Sequence, residues 1–191
     1  KDEKGKEIQP KFERQGGLEM GTGVNPIPTQ DAQGNQQLAY DLDDGVYFIS
    51  DTIEDRKTCA TYHSWIQNAV DGHTGIPPVN KSTCIRVIFA DGHHIDLPIY
   101  FLVKGGIPQL AHSAKDFIDS DPRAFAKWFN DLAALNEQLR RIVRYLKAWK
   151  NYRETNNTNL SFPSGFALTI LAANNFKPNE RDDVAFRDMV K

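Results

Sequence analysis

The first half of the chain alternates apolar and polar residues in the way that strands do. Residues 38–49 end in the β-branched and aromatic run Val46-Tyr47-Phe48-Ile49, which predicts a strand with acidic residues near its start. Residues 84–89 and 94–101 flank Asp91-Gly92, which predicts a β-hairpin with a two-residue turn. Pro98 places the second hairpin strand near a sheet edge or a strand end.

Helical spacing is found elsewhere in the chain. Between Thr52 and Val70, apolar residues recur close to every 3.6 positions, which predicts an amphipathic helix that ends at Asp71-Gly72. Asp121-Pro122 predicts a helix start, and one continuous apolar stripe runs from Trp128 to Trp149. Residues 161–165 precede a further helix.

The remaining segments have no periodic pattern. Residues 1 to about 14 predict a disordered lead-in, residues 25–35 an irregular loop, and residues 177–191 a charged end without a capping element. The chain is therefore expected to be β-rich with one helix first and helical afterwards.

Composition narrows the class of protein. A chain of 191 residues makes one domain, or one domain plus part of a second. The 23 Lys and Arg are balanced by 25 Asp and Glu, which argues against nonspecific coating of nucleic acid. Two cysteines cannot form a disulfide framework or a paired zinc motif. There is no apolar run of about 18 residues and the N-terminus is charged, so we expect a cytoplasmic protein that does not enter a membrane.

Three carboxylates are candidates for metal chemistry. Asp41 and Asp43 are two apart in a predicted strand, so both point to one face while Leu42 points to the other. Asp96 stands in the middle of the second hairpin strand, where a charged residue needs a partner. If the two strands pair, the three carboxylates suit two Mg²⁺ ions about 3.5–4 Å apart. An acidic turn is the alternative interpretation of Asp41 and Asp43.

Other residues carry weaker signals. Gly16 and Gly17 could expose backbone N–H groups to phosphate, or form a plain loop. Arg140, Arg144 and Lys147 form a basic helical stripe that could meet a triphosphate, or a solvated face. We assign His93 and His94 a turn or structural role, because histidine is a poor Mg²⁺ ligand.

Five motifs in order carry a family resemblance: QGGLEMGTGVNP, DLDDGVYF, HIDLPIY, LRRIVRYLKAWKNY and LSFPSGFALTIL. Together they resemble the bacterial cGAS/DncV-like nucleotidyltransferases (CD-NTases) of the polymerase-β-like superfamily, from about Gln15 to Ala173. The resemblance implies an α+β fold, with a nucleotidyltransferase palm of mixed or antiparallel sheet over residues 1–110 and a helical domain over residues 111–191. That helical domain is expected to be incomplete and the chain to be a fragment.

The resemblance also implies site residues. Asp41, Asp43 and Asp96 would be the catalytic triad that binds two Mg²⁺, for which Mn²⁺ can substitute. Gln15, Gly16 and Gly17 would occupy the motif that holds the donor triphosphate, and Lys147 and Ser164 would touch its phosphates. The family usually has Ser where this chain has Gly17. Asp41 follows Gly17 by 24 positions, a long separation whose excess we place in residues 28–38.

The implied function is a cyclic oligonucleotide synthase that joins ATP or other ribonucleoside triphosphates into a cyclic di- or trinucleotide messenger of antiphage (CBASS) defence. The product would activate a separate effector, and HORMA-type or ubiquitin-like-conjugation proteins are candidate regulators. One alternative is a related nucleotidyltransferase acting on linear RNA, a protein or a small molecule. The other is a noncatalytic scaffold, which predicts broken metal ligands.

Overall fold

The computed structural model describes residues 9–30, 33–34, 36–37, 40–157 and 159–191. The chain divides into two compact units, the first of residues 1–15 and 39–122, the second of residues 16–38 and 123–191. The mixed sheet and the helices agree with the predicted α+β class. The boundary at residue 110 between palm and helical domain stays a prediction.

The first unit is built on a mixed sheet of seven strands within the described residues. These strands are β1 Lys11–Arg14, β4 Asp41–Ser50, β5 Val79–Asn80, β6 Cys84–Ile88, β7 His94–Val103, β8 Gln109–His112 and β9 Asp116–Asp119. The order is β1-β4-β7-β6-β5, and β8 pairs with β7 and β9. β4 and β7 run parallel, and the other pairs are antiparallel.

The two faces of the sheet bury different sets of side chains. Val46 and Phe48 pack on one face with Tyr62 and Ile66 of helix α2, Cys59–Val70. Tyr47 points to the other face, where its ring stacks on Tyr100 at 4.7 Å between centroids. This alternation is that of a strand covered on both faces.

Helix α2 is the helix predicted between Thr52 and Val70. A short 3₁₀ helix, Ile53–Asp55, precedes it. Thr58 is the N-cap of α2, and its side chain accepts a hydrogen bond from Thr61 N. The buried residues recur at i, i+3, i+4 and i+7, which confirms the predicted amphipathic face.

The β6–β7 hairpin is confirmed, but its turn is longer than predicted. Phe89 N donates to His93 O at 3.0 Å, and Gly92 N donates to Phe89 O at 3.0 Å. The loop between Phe89 and His93 therefore has three residues, and Gly92 adopts φ +91° as the third of them. The two-residue turn was wrong because Asp91-Gly92 fits both turn types.

The edge position inferred from Pro98 is wrong, because β7 lies between β4 and β6. The β4–β7 register pairs Asp43 with Asp96 and then resumes at Val46 with Ile99. Pro98 lies in the gap between these two stretches and pairs with Cys84 on the other side. A proline without an N–H is accommodated where the ladder with β4 is interrupted.

The second unit is mainly helical. Its elements within the described residues are α1 Gly16–Glu19, β2 Thr29–Gln30, β3 Gln36–Gln37, α3 Pro122–Leu135, α4 Gln138–Asn156, α5 Gly165–Asn175 and α6 Asp182–Met189. Pro122 belongs to the first unit by its contacts and starts α3, as predicted. Phe129, Ile142 and Val143 are fully buried at the centre of the core, and Met20 packs with them.

Gln138, at the start of α4, joins that helix to the segment before α6. Its Nε2 donates to Asn179 O at 2.7 Å and to Asp182 Oδ1 at 2.8 Å, and its Oε1 accepts from Asn179 N at 3.0 Å. Asp182 also accepts two hydrogen bonds from Arg141, at 2.8 and 2.9 Å. Gln138 is buried, so all of its side-chain hydrogen bonding is internal.

Several sequence predictions need correction. The apolar stripe from Trp128 to Trp149 is broken between α3 and α4, and Leu135 is 85% exposed at the break. The helix is interrupted at Asn136, whose side-chain Oδ1 accepts a hydrogen bond from Gln138 N at 2.9 Å.

Four further segments are more regular than predicted. The part of the N-terminal lead-in at Lys11–Arg14 is strand β1, whereas residues 1–8 lie outside the described residues. Strands β8 and β9 occupy the stretch after Gly105-Gly106, where the composition predicts helix, and α6 lies in the C-terminal segment that has no capping signal. β2 and β3 pair within and beside the predicted loop, part of which also lies outside the described residues. No helix in the described part of the chain is long and apolar enough to cross a membrane.

Candidate active site

The parallel register of β4 and β7 brings four polar side chains together on one sheet face. Asp41 pairs with His94, and Asp43 pairs with Asp96. Each pair is two residues from the other along its strand, so all four side chains lie on the same face. We call Asp41, Asp43, His94 and Asp96 the carboxylate cluster. The strand pairing on which the predicted triad depended is present.

Arg86 on β6 adds a cation to this cluster. It pairs with Asp96 across the hairpin, and its Nε and Nη2 donate to Asp96 Oδ1 and Oδ2, at 2.6 Å each. Arg86 Nη2 also lies 3.6 Å from Asp41 Oδ1, and Lys81 Nζ lies 4.0 Å from Asp96 Oδ2. Burial works to raise the pKa of Asp96, but Arg86, with Lys81 and His94, outweighs it and holds the pKa below its usual value.

Asp43 is in the opposite situation. Burial, with the negative charges of Asp41 and Asp96, raises the pKa of Asp43 to about 6, and Arg86 offsets only part of this. A carboxylate held among other carboxylates is destabilised unless a cation neutralises them. The cluster therefore has more negative charge than Arg86 compensates.

His94 has an unpaired ring nitrogen facing the cluster. Its Nε2 is buried and lies 2.8 Å from Asp41 Oδ1, but it has no hydrogen-bond partner among the described residues because the angles are unsuitable. The ligand atoms of Asp41, His94 and Asp96 all lie within 4.8 Å of one another, and Asp43 is outside this group in the described part of the chain. Two carboxylates and an unpartnered buried imidazole nitrogen are a donor set that fits a divalent cation.

His93 has the turn role that was predicted for it. Its Nδ1 contacts Asp91 Oδ1, and its ring stacks on Tyr40 at 4.8 Å and on Phe89 at 4.2 Å. Consecutive residues of a strand point to opposite faces. His93 and His94 therefore differ in environment although they are neighbours in sequence.

Gln15 is buried beside β4. Its N donates to Asp43 O at 3.1 Å, its Nε2 donates to Tyr47 Oη at 2.7 Å, and its Oε1 accepts from Tyr100 Oη at 3.3 Å. A Cβ at Gly45 would overlap the Gln15 side chain, so only glycine fits opposite it. Both ends of the Gln15 amide are thus occupied within the protein, and its predicted contact with a triphosphate is untested.

In the second unit, residues 16–23 form a tight loop that we call the glycine loop. Gly17 O accepts from Thr22 N at 2.8 Å and from Gly23 N at 3.1 Å. Gly16 adopts φ +58°, which favours glycine. A Cβ at Gly17 would come no closer than 3.4 Å to another atom, so a small side chain fits at that position.

Lys147 of α4 reaches the same loop. Its Nζ donates to Thr22 Oγ1 at 2.9 Å, and Thr22 is fully buried. No carboxylate in the described ranges pairs with Lys147, and burial lowers the pKa of its ammonium group to about 8. A half-buried cation whose partner is only a hydroxyl is suited to receive an anion.

Ser164 and Arg140 complete the surroundings of the loop and of Lys147. Ser164 is the N-cap of α5, where its Oγ accepts from Ala167 N at 3.2 Å. Arg140 Nη1 donates to Met20 O and, at 3.0 Å, to Asn130 Oδ1. Arg140 therefore supports the glycine loop, whereas Lys147 keeps its charge uncompensated.

Comparison with known proteins agrees with this arrangement. Residues 10–100 match the family described as "Cyclic GMP-AMP synthase DncV-like, nucleotidyltransferase domain". The match contains all three cluster carboxylates. Over these residues the chain is similar to the DncV-like nucleotidyltransferases. A curated cyclic GMP-AMP synthase of Escherichia albertii is 27% identical over 184 residues, covering 92% of this chain and 39% of that protein.

Solved structures of DncV-like nucleotidyltransferases share the fold. The GTP-bound form of Vibrio cholerae DncV has a TM-score of 0.72 and 25% identity, covering 95% of this chain and 50% of DncV. The Bradyrhizobium diazoefficiens CD-NTase CdnG, solved with GTP, has a TM-score of 0.68 and covers 94% of this chain and 61% of CdnG. Its 15% identity supports the fold alone. The chain thus spans about two fifths to three fifths of these relatives.

The predicted site residues fall into two groups. Asp41, Asp43 and Asp96 share one sheet face of the first unit, where Gln15 is buried. The others, Gly16, Gly17, Lys147 and Ser164, belong to the second unit.

Sequence reasoning missed Arg86, His94 and Thr22. The i, i+2 spacing of His94 and Asp96 could have shown the shared face of those two residues. Nothing in the sequence signals the pairing of Thr22 with Lys147, which are 125 positions apart.

Proposed function

We propose that this chain carries the nucleotidyl-transfer site of a cyclic oligonucleotide synthase. The observation that carries the proposal is the carboxylate cluster, in which burial, together with the charges of Asp41 and Asp96, raises the pKa of Asp43 although a cation, Arg86, is already present. A divalent cation bound among these carboxylates would neutralise their charge. The match to the family model and the shared fold support the same activity.

Asp41, Asp43 and Asp96 are the proposed metal ligands and the catalytic residues. When bound, two Mg²⁺, or Mn²⁺ in their place, supply charge that neutralises a transferring phosphoryl group and acidify the attacking hydroxyl. The protein's own contribution is to hold the carboxylates on adjacent strands, and one of them accepts the proton from the ribose hydroxyl. The hydroxyl oxygen then attacks the α-phosphate, and pyrophosphate leaves.

The glycine loop and Lys147 are proposed to bind the triphosphate. Backbone N–H groups near Gly16 and Gly17 can approach phosphate oxygens closely because no side chain intervenes. Among the described residues, the half-buried Lys147 ammonium has no carboxylate partner that an arriving anion would have to displace. The Ser164 hydroxyl accepts from Ala167 N and can still donate its own hydrogen to a phosphate oxygen. Gln15 directly precedes this loop in the sequence, and we propose that it belongs to the same triphosphate-binding motif.

The relatives suggest the substrates. The Escherichia albertii relative is named a cyclic GMP-AMP synthase, and Vibrio cholerae DncV was solved with GTP and with the linear intermediate 5′ pppA(3′,5′)pG. We therefore propose ATP and GTP as substrates and a cyclic dinucleotide as product. In antiphage (CBASS) signalling, such a product activates a separate effector, and HORMA-type or ubiquitin-like-conjugation proteins are the regulators to test.

The experiment incubates the purified chain with Mg²⁺ or Mn²⁺ and all four ribonucleoside triphosphates, with products identified by mass spectrometry. A phosphatase-resistant cyclic dinucleotide is the expected result. Asp41→Asn should abolish it, whereas Asp51→Asn, at an exposed carboxylate just past β4 that pairs with Lys104, should not. Linear products would contradict cyclic synthesis and favour a nucleotidyltransferase that adds nucleotides to a linear RNA or another acceptor. Undiminished synthesis by Asp41→Asn would overturn the metal assignment.

A further inference from the structure

We propose that His94 is a nitrogen ligand of this metal site and makes it select transition-series cations such as Mn²⁺, Co²⁺ or Zn²⁺ over Mg²⁺. The inference rests on the proposed function only in taking Asp41 and Asp96 as ligands of the same ion. It assigns a role to a residue that is not part of the predicted triad.

The backbone fixes the position of His94. Its N donates to Tyr40 O at 3.2 Å, and its Cα pairs with Asp41 on one side and with Ile88 on the other. His94 is therefore held between two neighbouring strands at the start of β7. From this position its ring points to the face that carries Asp41 and Asp96.

The ring nitrogen that faces the carboxylates lies 2.8 Å from Asp41 Oδ1 but makes no hydrogen bond among the described residues. Nε2 is fully buried, and the His94 side chain as a whole is only 18% exposed. A buried polar atom that makes no hydrogen bond has lost its contact with water without replacing it. A cation shared with Asp41 Oδ1, 2.8 Å away, would satisfy both atoms.

The separations suit a single ion. The three ligand atoms lie within 4.8 Å of one another, which is close to twice the bond length of roughly 2.1 Å for small divalent cations.

Arg86 does not prevent this ligation. Each oxygen of Asp96 accepts one hydrogen bond from the guanidinium, and each carboxylate oxygen can accept two. Asp96 can therefore keep Arg86 and still bind a cation. The positive charges of Arg86 and Lys81 also repel a bound cation. The affinity of the site therefore depends more strongly on its ligand atoms.

The chemistry of the donor determines the selectivity. Imidazole nitrogen is a weak ligand for Mg²⁺, which prefers oxygen, but it suits Mn²⁺, Co²⁺ and Zn²⁺. Removing His94 should weaken binding of the transition-series ions and leave Mg²⁺ nearly unchanged. A purely structural role for His94 would change the affinities of all the ions together.

The test measures metal binding without nucleotide, so that it is independent of catalysis. Mn²⁺ binding is followed by electron paramagnetic resonance, Zn²⁺ and Mg²⁺ by calorimetry, and Co²⁺ by its visible absorption. The variants are His94→Gln, His94→Asn as a smaller replacement, and Asp41→Asn. His93→Gln is the matched control, because it removes an imidazole one residue away in the turn. Circular dichroism checks that each variant folds.

Either His94 variant should weaken Mn²⁺ and Zn²⁺ binding by roughly 10- to 100-fold and change the Co²⁺ spectrum, while Mg²⁺ binding changes by less than about threefold. His93→Gln should behave as wild type. Wild-type Mn²⁺ affinity in both folded His94 variants, with binding lost in Asp41→Asn, would overturn the His94 inference alone. Binding unaffected by Asp41→Asn as well would overturn the metal site of the proposed function. Selective binding that depends on His94, without nucleotide products, would support His94 and contradict the synthase.

Discussion

Replacing Asp43 by Asn should stabilise the metal-free protein while it removes metal binding. In the folded state, burial and the charges of Asp41 and Asp96 raise the pKa of Asp43 from 3.8 to about 6. A shift of about two pH units corresponds to roughly 3 kcal/mol of unfavourable interaction of the charged form. Asn has the same shape without the charge. Because solvent screens part of this cost, we expect the free energy of unfolding to rise by about 1–3 kcal/mol at pH 8.

The pH dependence identifies the cause. With a raised pKa, the folded protein binds more protons than the unfolded chain between about pH 4 and 6, so wild type loses stability as the pH rises through this range. The Asp43→Asn variant lacks this loss. The difference between the two proteins should therefore be small at pH 4 and complete above pH 7.

The assay is urea unfolding in EDTA at several pH values, repeated with Mn²⁺. Asp96→Asn is the matched comparison, because Arg86 holds the pKa of Asp96 below its usual value. That variant should lose about 1.5–3 kcal/mol at pH 8, and the loss should disappear as acid protonates Asp96. Mn²⁺ should stabilise wild type and neither variant. If Asp43→Asn is no more stable than wild type at pH 8 in EDTA, the inferred cost of a charged Asp43, from burial and from the neighbouring carboxylates, is refuted.

Three further changes test the second unit. Gly17→Ser should fold normally, since a Cβ there meets no atom closer than 3.4 Å, and should lower the KM for nucleotide severalfold; Gly17→Ala, without a hydroxyl, should not. Lys147→Met should raise the KM for nucleotide by roughly 10- to 100-fold, whereas the control Lys127→Met should leave it unchanged. In wild type, nucleotide affinity should fall above about pH 8, because Lys147 loses its proton there. Gln138→Ala should cost about 1–3 kcal/mol in urea unfolding, because Asn179 loses its buried partners.

Short sequence patterns were enough to predict the helices that begin with, or repeat, a local signal. The 3.6-residue spacing before Val70, the proline at position 122 and the helix-start signal at residues 161–165 each predicted a helix that is present. β8 and β9 were missed because these short strands extend an existing sheet, where β8 pairs with β7 and β9 pairs with β8. The break between α3 and α4 was missed because apolar residues continue at helical spacing across it.

The candidate site divides in the same way. Asp41 and Asp43 could be placed on one face from the strand period alone. Asp96 joins them only because β4 pairs with β7, which the sequence left as a condition. Arg86 and the unpartnered nitrogen of His94 depend on that register and on side-chain angles, neither of which leaves a local pattern. The family resemblance named ligands by motif and therefore did not include these two.

The hydrogen-bond ladder between β4 and β7 is interrupted near Pro98, so the start of β4, which carries Asp41 and Asp43, can open without unfolding the core. Residues 41–43 pair with β7 before the gap, and residues 46–50 pair with it after the gap, where Val46, Tyr47 and Phe48 are buried. β1 pairs with β4 only from Asp44 onward, so the tip before it is held by β7 and by the Gln15 N to Asp43 O bond. Opening that tip breaks few hydrogen bonds and exposes no core, so its amides should exchange with solvent faster than those of the buried stretch.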